Sequence, residues 1–269
     1  MQADGQNGVV TAETFDIAAA AGWYSAVAGL LAGFALLAVL LPLDHDASDE
    51  DTAEAAGASG VIVFTSAFFS LLILAFTYAI LSGRSSGPVA AHEQQLNGAA
   101  FGLSALLLLL GLREVLRLYG SNRAMMQPAQ NLISRTTALW GPIIVVAMQF
   151  SNTLDTEVLR QGVPGDGEHA GLSWPFSSAI WINLAVSAVA IVAIAVVPFI
   201  GGHRRVAATT TAVIGRATLG FTVVVTLWCA FAVPLLPSGF ILSAAVEHAT
   251  VVVTAVATVV YSWAAWLTR

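Results

Sequence analysis

Apolar residues run through the chain in seven long stretches broken by short polar ones, covering roughly 18–42, 60–82, 92–118, 136–154, 174–200, 211–235 and 239–267. About 20 apolar residues in a helix cross the hydrocarbon core of a bilayer, so each stretch predicts a membrane-spanning helix. The fourth is the most dilute, interrupted by Thr136, Thr137, Gln149, Ser151 and Asn152. Only Pro234 to Ser238 separate the sixth from the seventh, and Leu236–Pro237–Ser238–Gly239 is a turn signature that folds this run into an antiparallel hairpin. The predicted fold class is all-α, a polytopic seven-helix bundle. Residues 1–269 form one transmembrane domain, and 43–59 form an acidic, flexible cytoplasmic loop.

Composition fixes the solvent. Hydrophobic residues make up 57% of the chain and charged residues 10%, where a soluble domain carries about 25% charged residues. The mean hydropathy is +0.81. A water-soluble fold has no means of hiding this much apolar surface, so most of it must face lipid.

All 10 basic residues are arginines. Without lysine, no side-chain Schiff base forms, which excludes a retinal-linked rhodopsin, and no phosphate-binding loop has its usual lysine. The single cysteine, Cys229, permits neither an intrachain disulfide nor a cysteine metal cluster. No basic run points to nucleic acid. Residues 1–16 hold Asp4, Glu13 and Asp16 with no basic residue, and the apolar stretch after them outruns the core of a signal peptide. It reads as a retained first span.

Arginine placement predicts orientation. Arg113, Arg117, Arg123 and Arg135 flank the connection between spans three and four; Arg204, Arg205 and Arg216 flank that between five and six; Arg269 ends the chain. The connections on the other face have Arg84 and Arg160 alone. The positive-inside rule puts the N-terminus outside and the C-terminus in the cytoplasm, in the cell membrane of a prokaryote. The loop carrying Asp44, Asp46, Asp49, Glu50, Asp51 and Glu54 is then cytoplasmic, without an arginine. Acidic residues contribute little to the rule. A solvated loop is the plain reading of this segment, and a docking site for a partner the sharper one.

Helix contacts are foreshadowed by Gly29 with Gly33 and Gly98 with Gly102, two GxxxG pairs whose spacing lets another backbone approach. Packing within the bundle is the plain reading of both, and a homo-oligomer seam the alternative. Trp23, Trp174, Trp263 and Trp266 lie near span ends and read as interfacial anchors.

Ionisable groups within a membrane are functional hypotheses by default, and Glu247 and His248 lead them, about two turns into the seventh span. Ser243, Glu247, Thr250, Thr254, Thr258 and Tyr261 share one helical face. Thr211, Thr218, Thr222, Thr226 and Cys229 form a stripe on span six. Facing each other across the hairpin, the two stripes would line a polar seam. Helix packing through hydroxyls that bond back to their own carbonyls is the plainer reading. Further polar groups gather in the outer half: His92, Glu93, Gln94, Gln95 and Asn97 on span three, Gln149, Asn152 and Asp155 on span four, Trp181 and Asn183 on span five. The expectation is a cavity open to the outside between spans three, four, five and seven. Helix ends wetted by headgroups are the alternative.

No cofactor or metal is expected, since His92, Glu93, Glu247 and His248 lack HExxH-type spacing. Gly57–Ala58–Ser59–Gly60 has the letters of an intramembrane serine-protease motif, but it falls on the opposite membrane face from His248. Three functions stay open: a channel or transporter for a proton, cation or small polar solute centred on Glu247; a membrane enzyme acting on a lipid or isoprenoid at the outer leaflet; and a non-catalytic subunit or sensor. The expected partners are the lipid bilayer, a small solute or ion, and a second copy through one of the glycine pairs.

Overall fold

The computed structural model describes residues 17–43, 52–83, 87–118, 123–161, 177–200, 208–237, 240–241 and 243–267, and these residues are all-helical, with no strand among them. The helices are α1 (Ala18–Leu43), α2 (Thr52–Ser82), α3 (Pro88–Leu118), α4 (Arg123–Arg135), α5 (Gly141–Gln161), α6 (Ser178–Ile200), α7 (Ala208–Leu227) and α8 (Ala244–Leu267). A π-helical turn over Thr136–Trp140 fuses α4 to α5. Counted with that fusion, 7 helical segments are long and apolar enough to cross a membrane. The seven-span reading therefore stands.

The edges moved. Helix α2 begins at Thr52, inside the stretch read as loop, because Thr52–Ala56 is an alanine-rich run with high helix propensity. The rest of the acidic segment, 44–51, lies outside the described residues. Span four is much longer than expected, running from Gln127 to Arg160. Arg160, counted in the sequence as a loop charge, is in the last turn of α5. Helix α8 starts only at Ala244, so Glu247 sits in its first turn rather than two turns in. The amides of Val246 and Glu247 both bond back to the Ser243 carbonyl, which marks Ser243 as the start of the helix.

Helix α3 is the axis of the bundle, with α2, α5, α7 and α8 around it, while α1 leans chiefly on α2. The main core joins Val63 and Ala67 of α2, Leu103, Leu106, Leu107 and Leu110 of α3, Ile214 of α7, and Tyr261 and Ala264 of α8. Apolar side chains on the rim point outward; Trp23 is 75% exposed and Phe199 88%. That inversion suits a hydrocarbon solvent. Trp263 is also exposed, but Trp266 packs on the main core instead of acting as a free anchor. Trp174 lies outside the described residues.

The two GxxxG pairs do different work. A Cβ on Gly98 would lie 2.6 Å from Asn152 Nδ2, and one on Gly102 would lie 2.7 Å from Val145 Cγ1. These glycines bring α3 against α5 within the chain. On α1, a Cβ at Gly29 would sit 4.0 Å from Ala75 Cβ, and one at Gly33 would meet nothing within 4 Å.

The expected seam between spans six and seven is not how their stripes pair. Helix α7 packs mainly on α2 and α3, and α8 on α6 and α5. Thr211 accordingly bonds Ser59 of α2 at 2.6 Å, and Thr226 reaches Thr77 of α2 at 3.5 Å. Thr218 bonds Tyr261 at 2.5 Å and so links α7 to α8. A tight hairpin would have laid α7 along α8, but α7 ends in a second π-helical turn, Trp228–Ala232, and a 3-10 turn around Pro234. Leu236 then turns extended. Between α6 and α8 lies an apolar groove of about 490 Å³ lined by alanine and valine, including Val186, Val189, Val252 and Val256.

Candidate functional site

Where α5 ends and α6 and α8 begin, five polar side chains join into one network. Glu247 on α8 is 0% exposed. Its Oε1 accepts a hydrogen bond from Asn183 Nδ2 of α6 at 2.6 Å, and its Oε2 is paired with the Arg160 guanidinium of α5. Arg160 also pairs with Glu157, one turn back on its own helix and itself buried. The Asn183 carbonyl oxygen faces His248 Nδ1 at 2.7 Å, so His248 reaches Glu247 through the asparagine. Each helix supplies what the others lack: α5 the cation, α6 the bifunctional amide, α8 the acid and the imidazole. Glu247 lies in the first turn of α8, where the helix dipole favours a carboxylate.

Two buried carboxylates thus converge on one guanidinium whose side chain is 23% exposed. In a medium of low dielectric, removing one partner of such a pair leaves a stranded charge. The network is a lock between α5 and α8 in which Arg160 is more exposed than either carboxylate.

Behind the lock, helical periodicity carries polarity inward. On α5, Thr153 and Gln149 follow Glu157 on the same face; on α6, Ser187 lies one turn beyond Asn183; on α8, Thr250 and Thr254 follow Glu247. All five are buried. The threonines bond to carbonyls of their own helices: Thr250 to Val246, Thr254 to Thr250 and Thr153 to Phe150, at 2.7–2.9 Å. Gln149 Nε2 and Oε1 and Ser187 Oγ have no hydrogen-bond partner among the described residues. A buried polar atom without a partner is costly, so these three atoms are the uncompensated part of the column.

The remaining residues singled out from sequence divide clearly. His92 accepts a hydrogen bond at Nε2 from Trp228 Nε1 at 3.0 Å, with its Nδ1 buried and unpartnered. The π-helical turn at Trp228 is what reaches it, and His92 belongs to an α3–α7 contact rather than to a site with His248. Glu93 and Asn97 are buried on a different side of α3, and neither amide atom of Asn97 has a partner among the described residues. Asn152 lies on the α5 wall that faces Gly98, and Asp155, one turn further along α5, is half-buried. Tyr261 stands apart: 14 residues beyond Glu247 at the helical rise, it is about 21 Å away, bonded to Thr218 within the apolar core. Trp181 is half-exposed on the rim.

Two members of the network, Arg160 and Glu157, were not foreseen. Their spacing of three residues is the signature of a helical ion pair, and it indicates that α5 continues through a segment that reads as loop. Among the described residues no group of three His, Cys, Asp or Glu side chains gathers as a metal site. Compared with protein-family models, curated proteins and solved structures, the chain gives no match.

Proposed function

We propose that this chain is a channel or transporter for a proton, a cation or a small polar solute, with Glu247 as its exchanging group. The observation that carries the reading is the buried Glu247–Arg160 pair standing at the head of a polar column whose Gln149 and Ser187 have open hydrogen-bonding capacity. A proton or cation arriving at Glu247 competes with Arg160 for the carboxylate. Release of the guanidinium frees α5 from α8, and the arriving species gains access to the amide and hydroxyl behind. In this scheme Arg160 is the internal counter-ion, Asn183 orients the carboxylate, and His248 is the neighbouring proton carrier.

The membrane-enzyme reading needs acid–base groups in mutual contact. Glu247 and His248 are held apart by Asn183, which bonds both, so the two are not in direct contact. By the arginine distribution, the N-terminus is outside and the Glu247 end of the bundle opens outward, in the cell membrane of a prokaryote. The open Gly29–Gly33 face of α1 suits a second copy.

Flux into proteoliposomes under a pH or voltage gradient tests the proposal. The wild type is expected to carry proton or cation current, and Glu247→Gln, folded and reconstituted to the same density, to lose it. Absence of current in the wild type under every gradient and salt would sink the reading.

A further inference from the structure

The Glu247 network fixes the positions of its own hydrogens. Glu247 is ionised against Arg160, and a carboxylate only accepts hydrogen bonds, so the end of Asn183 that meets it is the Nδ2 donor. Asn183 Oδ1 is then the atom that faces His248, and an amide oxygen also only accepts. His248 therefore carries a hydrogen on Nδ1, and in the neutral ring the lone pair falls on Nε2. Among the described residues His248 bonds through Nδ1 alone, and the residue is half-buried. Charge is out of balance in the same place. Glu157 and Glu247 both pair with Arg160, two carboxylates to one guanidinium. Asn183, the side chain that α6 brings, is uncharged, so with a neutral His248 the network is left with an excess negative charge.

We infer that the species exchanged at this network is a proton, taken up at His248 Nε2. The inference rests on the transport reading above and narrows it from a proton, cation or small polar solute to the proton alone. A hydronium ion gives its proton to the Nε2 lone pair and is left as water. The ring becomes an imidazolium with a hydrogen on each nitrogen, and the bond from Nδ1 to Asn183 stays as it is. The added charge offsets the excess carboxylate, which counts most in a medium of low dielectric. A metal cation fits less well. Both Glu247 oxygens and the Asn183 oxygen already accept hydrogen bonds, whereas calcium takes about six to eight oxygens and magnesium an octahedral shell. A neutral solute leaves the charge uncompensated. The Asn183 amide does not ionise, so His248 acts on Glu247 through charge. As a second cation it shares with Arg160 the balancing of the carboxylates, and this loosens the lock between α5 and α8.

Two measurements on the full chain test the inference. Nitrogen-15 NMR of histidine-labelled protein in detergent, with the His248 signals identified by their loss in His248→Gln, reads the ring directly. In basic solution Nδ1 is expected to carry the hydrogen and Nε2 to be bare, and on acidification the new hydrogen is expected at Nε2. A neutral ring with its hydrogen on Nε2 would overturn the inference. The second measurement is flux in proteoliposomes under a pH gradient, under sodium or potassium gradients at equal pH, and under an osmotic gradient of glycerol. Current is expected under the pH gradient alone. His248→Gln keeps a donor for Asn183 but has nothing to titrate, and it is expected to lower that current at least about tenfold, as loss of a positioned proton acceptor implies. If His248→Gln does not fold, His248→Asn carries the same comparisons. Flux of a metal cation or of glycerol that Glu247→Gln abolishes would uphold the transport reading and overturn this inference. Proton current undiminished in the His248 variant would overturn it too. No flux of any species would sink the transport reading itself, and the inference with it.

Discussion

Arg160 and Glu247, 87 positions apart in sequence, meet as a buried ion pair that fastens the end of α5 to the start of α8. Each charge offsets the cost of placing the other in an apolar chain, with Glu157 and Asn183 as the further partners, and the pair fixes the register between these two helices.

Removing the cation should therefore be worse than neutralising the acid. Arg160→Ala strands Glu157 and Glu247, and about 3–5 kcal/mol of stability should be lost. Glu247→Gln keeps one acceptor oxygen for either Asn183 or Arg160, leaves Arg160 its pair with Glu157, and should lose less. Thermal unfolding of both single variants and the double variant gives the coupling, expected at about 1–3 kcal/mol. Additive losses would show that the pair does not hold the helices.

Gln149→Leu separates function from stability. It deletes a buried amide with no protein partner, so the variant should be as stable as the wild type or gain about 1 kcal/mol. Its flux in proteoliposomes should fall sharply. A stable variant with undiminished flux would remove Gln149 from the path.

The two glycine pairs should respond in opposite ways to bulk. Gly102→Leu drives a side chain into Val145 and should cost about 1–3 kcal/mol by overpacking. Gly33→Leu faces open space and should stay within about 0.5 kcal/mol for the monomer. Paired melting curves in detergent decide it, and equal losses would show that the α3–α5 approach is looser than described.

Trp228→Phe keeps the ring but removes the N–H donated to His92. The buried Nε2 is then left without a partner, and a loss of about 1–3 kcal/mol is expected. Restoration of stability by His92→Phe in the same background would show that the unsatisfied imidazole is the cause.

Hydropathy carries most of the fold because each span must bury its own backbone in lipid, and only helices do so. Glu247, His248 and Asn183 were legible for the same reason, as polar groups in costly places. Periodicity also put Thr250 and Thr254 on the face of Glu247. Partnership was the illegible part. Arg160 reads as a loop charge because Asp155, Thr156 and Glu157 before it are polar, and only the position of α8 makes this turn interior. Tyr261 reads as part of the same stripe because periodicity fixes a face but not a neighbour, and α8 passes from the network into the apolar core along its length. The stripe on α7 faces α2 because two tight turns after Leu227 redirect the chain, and hydropathy does not register such turns.

The groove between α6 and α8 begins one helical turn from Asn183 and His248, at Val186 and Val252. A lining of alanine and valine leaves α6 and α8 without interlocking bulk there, so the Asn183–Glu247 hydrogen bond carries more of the alignment of the two helices than its single contact suggests.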